Sequence, residues 1–261
     1  MNHFFKITNY EFKMSVRRTG FWITYALLIT FYIVSILIPS MDRTGDVIGH
    51  EKIWQSAGNF VFTFNVFMPL LAGILSADRM QRDFRNGIRE LQRSTPLSIS
   101  AYVLAKYLGI LLSVLLPMAF LVAASGIITI LTGLAPLEYL WPLFLAFLSI
   151  AVPAHAFVVA FSLACPLIMP LRVYQVLFTG YWFWGNLLSP KAFPTISDTL
   201  LNVAGQYPLQ AYFNVTYSST YKVVQAFTPV EAVLNLIVLM TCIAIVLFTV
   251  NRYLHWQEKH T

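Results

Sequence analysis

Charge is what this sequence has least of: only 11% of its 261 residues are Asp, Glu, Lys or Arg, against 58% hydrophobic, and the mean hydropathy is +0.69. A soluble domain of that length needs a charged surface, so the composition excludes that class and indicates a polytopic membrane protein. Cysteine is nearly absent as well. Cys165 and Cys242 lie in or beside apolar runs, without metal-ligand spacing or His or Cys neighbours, and read as small hydrophobes. The phosphate-binding pattern G-x-x-x-x-G-K-[ST] is missing, as are G-x-G-x-x-G after a strand pattern, H-E-x-x-H and paired C-x-x-C. The chain therefore has no P-loop ATP site, no metal site and no catalytic constellation, and it is not expected to be an enzyme. Ionisable residues at mid-span reduce to His155 in AVPAHAFVVAF. A lone His there fits a helix-packing hydrogen-bond donor better than a ligand or base, and a proton relay is disfavoured.

What is present is a series of apolar runs. Six are long enough to cross a hydrocarbon core of roughly 30 Å: 20–40, 58–77, 103–132, 139–164, 171–189 and 229–250. The expected fold is all-α and integral to the membrane, one transmembrane domain over 1–261. No cleavable signal peptide is expected, because Lys6, Glu11, Lys13, Arg17 and Arg18 precede a first apolar run that is itself long enough to span. The third span is expected to begin below the membrane surface, with Lys106 snorkelling to the headgroups. Between the fourth and fifth, CPLIMPLR carries Pro166, Pro170 and Arg172 and predicts a tight hairpin rather than one broken element. Residues 1–19 are read as an interfacial helix on the inner leaflet, with a juxtamembrane tail as the alternative. The segment 190–228 is rich in Phe, Leu and Tyr and is expected to lie on the outer leaflet or cap the spans. Within it, Thr195 or Ser197 is expected to cap a helix through Ala204 that Gly205 ends, with Pro208 starting another.

With the N terminus inside, 13 of the 17 Lys and Arg fall on the cytoplasmic side, leaving Arg43, Lys52, Lys191 and Lys222 outside. That places both termini in the cytoplasm, with the cell (inner) membrane as the location. The net charge of +6 follows from the positive loops and requires no nucleic-acid partner. Ala156, Ala160 and Ala164 recur at four-residue spacing and predict a close-packing face.

The charge that does occur is concentrated. Between Asp78 and Leu97 the run DRMQRDFRNGIRELQRSTPL holds five of the Lys and Arg residues. On a helical wheel Met80, Phe84, Ile88 and Leu91 share a face, with Arg82, Arg85, Arg89 and Arg93 opposite. By spacing alone the segment fits docking into a partner's acidic and apolar cleft as well as adhesion to anionic lipid, where each Lys or Arg adds about 1 kcal/mol. Gly87 is read as a helix-interior glycine marking a close approach or a bend, and Thr95 as the cap of a helix that starts at Pro96.

The run RDFRNGIRELQRSTPLSISAYVLAKYLG resembles the cytoplasmic signature of the type-2 permeases of ATP-binding-cassette exporters. Asp83, Gly87, Glu90, Leu91, Thr95, Pro96, Leu97, Lys106 and Gly109 occupy the matching places. Asp83 stands where the family often has Glu, and Ile88 where it has Thr or Ser. The resemblance implies a permease that forms the substrate pathway as a homo- or heterodimer and is driven by separate ATPase subunits, which bind the ATP and Mg. It further implies an ATPase-coupling surface over Arg82, Asp83, Phe84, Arg85, Gly87, Ile88, Glu90, Leu91, Thr95 and Pro96. The pathway would fall on spans two and five, with Asn65, Phe67, Gln175, Thr179, Tyr181 and Trp184 as lining residues. Those side chains also fit an aromatic belt and routine interhelical contacts. A membrane scaffold that recruits a cytoplasmic partner without transport remains the alternative function.

Overall fold

The computed structural model describes residues 2–32, 34, 48–87, 98–188, 190, 193–215 and 227–260. Among them every regular element is helical. Four stretches are long and apolar enough to cross a membrane by length and composition: Ile53–Arg85, Ile99–Leu131, Leu137–Leu167 and Pro229–His260. The first expected span is described only as α2 (Thr19–Tyr32), preceded by α1 (Asn2–Val16). Residues 33 and 35–40 of that span lie outside the described residues.

The second run is longer than expected and broken. It comprises α3 (Ile53–Asn65), α4 (Met68–Ser76) and α5 (Asp78–Arg85). Pro69 cannot donate a backbone hydrogen bond, and the ladder lapses at Val66–Phe67 just before it. The indole of Trp182 donates to the freed Val66 carbonyl at 2.7 Å. The third run is a single helix, α6 (Ile99–Leu131), of 33 residues, which at 1.5 Å per residue is about 50 Å long. It does begin ahead of residue 103, but Ser98 caps it, accepting from the Ala101 amide at 3.3 Å. The expected cap Thr95 and first residue Pro96 lie outside the described residues. Gly133, at φ +73°, closes its far end in the left-handed region.

The fourth run joins α7 (Leu140–Ala146) to α8 (Val152–Ala164) through a π-helical stretch, Phe147–Ala151. Pro153 lacks the donor that would continue the regular ladder, and side chains take up the neighbouring carbonyls. His155 Nδ1 bonds Ala151 O at 2.8 Å and the Asn65 amide donates to Ile150 O at 3.4 Å. His155 is fully buried and serves its own helix. After Cys165–Leu167 the chain turns at Pro170 into a separate helix, α9 (Leu171–Asn186). Ser162 and Tyr174 share a 2.8 Å hydrogen bond across that turn. Ala156 and Ala160 are buried, and α8 packs on both α4 and the last helix, α11 (Pro229–His260).

Loops gather at two ends of the bundle. At one end the Ile48 amide donates to Leu134 O at 2.8 Å, and Gln55 donates to Asn214 O at 3.1 Å. The segment 193–215 closes this end, though not as expected. Residues 196–204 form turns rather than a helix. Gly205, at φ +88°, precedes α10 (Gln206–Phe213) instead of ending a helix, and Pro208 sits in the first turn of α10. The reason is competition from buried amides, which satisfy the loop's backbone in place of a helical ladder. Asn186 Oδ1 accepts from the Val203 and Ala204 amides at 2.8 and 3.2 Å. Asn235 donates to Leu200 O and Asn202 O at 2.9 and 3.0 Å, and Asn65 to Ala204 O at 2.9 Å. Three helices thus grip one loop.

Replacing Asn186 by Ala leaves two buried amides without an acceptor, at roughly 1–3 kcal/mol each. Asn186→Ala is expected to lower the thermal unfolding midpoint in detergent and to expose 193–205 to limited proteolysis. Unchanged cleavage there would count against the grip.

Candidate functional site

The opposite end of the bundle holds the charge. Its centre is Lys106, on the first third of α6 and fully buried. Its ammonium donates to Glu11 Oε1 on α1 and to Asp83 Oδ2 on α5, both at 2.6 Å. The Tyr102 hydroxyl, one turn earlier on α6, also donates to Asp83 Oδ2. Expected to snorkel to the headgroups, Lys106 instead ties three helices together inside the protein. The physical reason is that two carboxylates meet it there, and a buried ammonium with partners is stable where a lone one is not.

Local sequence makes the meeting possible. Gly109 is one turn beyond Lys106, and a Cβ there would lie 2.5 Å from Thr8 O and 2.8 Å from Glu11 Cβ. Without a side chain at 109, α1 lies directly on the α6 backbone. Its buried residues, Glu11 and Ser15, point into the protein, while Phe5 and Tyr10 are exposed at 61% and 65%. The interfacial helix expected at 1–19 thus has one face docked on the chain itself.

A second cation offsets the second carboxylate. Arg79 is buried, stands 3.8 Å from Asp78 and lies within Coulombic reach of Glu11 and Asp83. The buried centre therefore has two acids, Glu11 and Asp83, and two bases, Lys106 and Arg79. Around it Asp78, in the first turn of α5 where a negative charge suits the helix dipole, bonds Arg18 at 3.3 Å and stands 4.0 Å from Arg82. No group of three or more His, Cys, Asp or Glu able to hold a metal ion occurs among the described residues.

The coupling residues named from sequence divide into four groups. Arg82 is partly buried and meets Met14 Sδ at 3.4 Å; Asp83 is inside the ion cluster; Phe84 is half-buried. Arg85 is exposed and lines, with Gln81, Pro166 and Gln257, an open cavity of about 340 Å³. Gly87 is not interior to a helix: α5 ends at Arg85, and Gly87 follows at φ +66°, a helix stop. Ile88, Glu90, Leu91, Thr95 and Pro96 lie outside the described residues.

The residues named for the pathway each have their own partners. Asn65 is buried and committed to the Ala204 and Ile150 carbonyls. Phe67 meets Phe183 edge-on at 6.0 Å, bringing the second and fifth runs together. Gln175 donates to Ile74 O at 3.4 Å, Thr179 bonds within its own helix, and Trp184 donates to Pro194 O at 2.7 Å. Tyr181 lines an apolar cavity beside Cys165 and Cys242. Sequence reasoning missed Glu11, whose signal was available: it is the sole acid among the first 18 residues, on the stripe that also carries Thr8 and Ser15.

A family model described as "ABC-2 family transporter protein" matches residues 9–183 of the 261. The chain belongs to that family. The family comprises membrane components of ABC transporters rather than their ATPases, and the match spans Glu11, Asp83 and Lys106. Neither the curated proteins nor the solved structures gave a match.

Removing one partner of a buried ion pair strands the others, at roughly 3–5 kcal/mol. Lys106→Met alone is expected to lose about that much stability in thermal unfolding of the detergent-solubilised protein. The double variant Asp83→Asn, Lys106→Met, which removes one acid with one base and leaves Glu11 opposite Arg79, is expected to recover part of it. A single variant as stable as wild type would show that the cluster bears little load.

Proposed function

We propose that the chain is the permease subunit of an ATP-binding-cassette exporter, paired with a second permease and driven by two separate cytoplasmic ATPase subunits that bind ATP and Mg. In this reading the chain crosses the inner membrane six times with both termini in the cytoplasm. The grouping of loops supports it: 48–52, 132–138 and 193–215 lie at one end, and α1, 78–87, 165–170 and the last turns of α11 at the other. Connections that alternate between ends, with both termini at the same end, are what an even number of crossings requires. The single observation that carries the coupling role is the construction of α5. Its inner side is fixed to α1 and α6 through Asp83 and Lys106, while Arg85 on its outer side is free to meet a partner.

A helix held this way can pass a displacement from a docked ATPase into the third span, because the ion cluster leaves it no independent motion. An ATPase surface with acidic and apolar character would complement Arg85 and the half-buried Phe84. ATP-driven closure of the ATPases would then bias the paired permeases between two arrangements. Adhesion to lipid alone would need no buried anchor.

The protein purified from its own membrane in mild detergent is expected to bring down a P-loop ATPase at near-equal stoichiometry. Arg85→Glu is expected to reduce the recovered partner and the coupled ATP hydrolysis by about tenfold, equivalent to about 1.4 kcal/mol of interface. Gly87→Leu, which forces a side chain into the left-handed region at about 1–2 kcal/mol, is expected to act in the same direction. Both should insert normally in the membrane. Full complex formation and full activity in either variant would remove the coupling assignment.

A further inference from the structure

Three guanidiniums converge on the carboxylate of Asp78, where α1, α2 and α5 meet. Arg18 stands 3.3 Å from it, Arg79 3.8 Å and Arg82 4.0 Å. Their side chains are 34%, 3% and 18% exposed, so Arg18 forms the rim of one cationic patch and Arg79 its floor. One carboxylate cannot serve all three. Arg18 takes Asp78 Oδ2 through both terminal nitrogens, at 3.4 and 3.3 Å, and Arg82 turns a nitrogen to Met14 Sδ at 3.4 Å. Nε and Nη1 of Arg79 are buried with no hydrogen-bond partner among the described residues. A buried charged donor left this way is costly, and an incoming acceptor would relieve it.

Charge and depth narrow the acceptor. Arg18, Arg79, Arg82 and Lys106 stand against Glu11, Asp78 and Asp83, four positive charges against three negative, and exposed Lys13 and Arg17 add to the surplus. A second copy docked through the same patch would bring like charge against like. A phosphodiester supplies the missing negative charge, with oxygens in the geometry that guanidinium forks bind. The depth is set by two helices. α2 begins at Thr19, beside the Arg18–Asp78 pair, and at its other end the Tyr32 hydroxyl donates to Thr63 O at 2.5 Å. It thus runs antiparallel to α3 and α4, and the apolar stretches of α2 and α4 stop together at the patch. Trp22, one turn into α2, is exposed and donates its indole N–H to Val16 O at 2.7 Å, an amphipathic ring at the boundary where headgroups lie. Exposed Ile23, Leu27 and Phe31 follow along α2.

We propose that Arg18, Arg79 and Arg82 form a site for an anionic phosphate group, the chemistry that an acidic phospholipid headgroup and a free phosphate share. The depth of the patch favours the headgroup. The site requires the membrane location of the family and is independent of ATPase coupling, which is assigned to Arg85 at the other end of α5.

The test uses the full chain, with whatever ATPase accompanies it, delipidated in mild detergent and titrated with phosphatidylglycerol or, as the zwitterionic reference, phosphatidylcholine. Native mass spectrometry counts the lipids bound. The first phosphatidylglycerol is expected to bind about tenfold more tightly than phosphatidylcholine. Arg18→Gln should weaken that site about fivefold and Arg79→Gln about tenfold or more. Arg18 is at the rim, so its variant decides the matter should Arg79→Gln fail to fold. Asp78→Asn removes the competing carboxylate and is expected to tighten the site about fivefold, whereas a patch that only holds helices together would gain nothing from losing its ion pair. Arg252→Gln makes the same charge change on exposed α11 and should alter binding by less than about twofold. Lipid that excess inorganic phosphate does not displace identifies the headgroup, and lipid that it displaces assigns the site to the free ion. Phosphatidylglycerol bound no more tightly than phosphatidylcholine, a first site unchanged in folded Arg18→Gln, or one weakened by Asp78→Asn would overturn the proposal. The masses resolve the chain with and without an ATPase, so failure here and failure of the coupling assignment are distinguishable.

Discussion

The burial of the Lys106 ammonium is the constraint on which the charged end of this molecule depends. Removing an ammonium from water costs several kcal/mol even after relaxation, and two charge-assisted hydrogen bonds offset that only where the acceptors are already in place. Here the acceptors come from different helices, Glu11 on α1 and Asp83 on α5, each at 2.6 Å. Neither can leave without stranding a charge. Two carboxylates on one ammonium would in turn leave a negative excess, which buried Arg79 compensates. The absence of a side chain at Gly109, the polar stripe of α1 and the buried Asp83 are all consequences of one cation placed inside the fold.

The opposite end meets a similar difficulty, polar groups away from water, with neutral chemistry. Asn65, Asn186 and Asn235 come from three separate helices, and each bonds backbone groups of the 200–204 stretch. An amide carries both donor and acceptor and brings no charge to be balanced, so the loop is held without a helix of its own. The same device operates within the spans. Trp182 takes the Val66 carbonyl at the break in the second run, and His155 takes the Ala151 carbonyl in the π-helical stretch. Irregular backbone among apolar helices is tolerated where side chains re-satisfy it.

These pairings also mark where sequence reading stops. Apolar runs are local signals, and the helices at 99–131, 137–167, 171–186 and 229–260 follow them closely. Of the amphipathic wheel drawn over 78–97, the described part agrees at Met80, which is buried, and at Arg85, which is exposed, but Arg82 is partly buried and Arg79 and Asp83 are buried with Met80. Lys106 was misplaced because its partners are 95 and 23 residues away, and nothing in its own neighbourhood reveals them. Positive patterning drew attention to Lys13, Arg17 and Arg18 and away from the lone acid at position 11. A helix over 195–204 satisfied local capping rules and lost to asparagines that tertiary structure delivers from elsewhere. Asn65 had the look of a pathway residue for the same reason: a polar group in an apolar run signals a partner without saying whether it is substrate or backbone.

The distribution of regular and irregular backbone then limits which motions are cheap. α6 is one helix of 33 residues, so a tilt imposed at Lys106 is carried along its length to Gly133, where Leu134 is bonded to Ile48 of the neighbouring loop. The second and fourth runs are interrupted near their middles, at 66–67 and 147–151. Bending at these points disturbs hydrogen bonds that are already side-chain mediated, whereas α6 continues as one helix through Pro117, which removes a single ladder bond without interrupting it. Separating α1, α5 and α6 would expose buried charge to an apolar interior and is the costlier course. Under the proposed coupling, a displacement entering at α5 would move the three as a unit and be absorbed at the two interruptions, which Asn65 links directly by reaching from the end of α3 to Ile150.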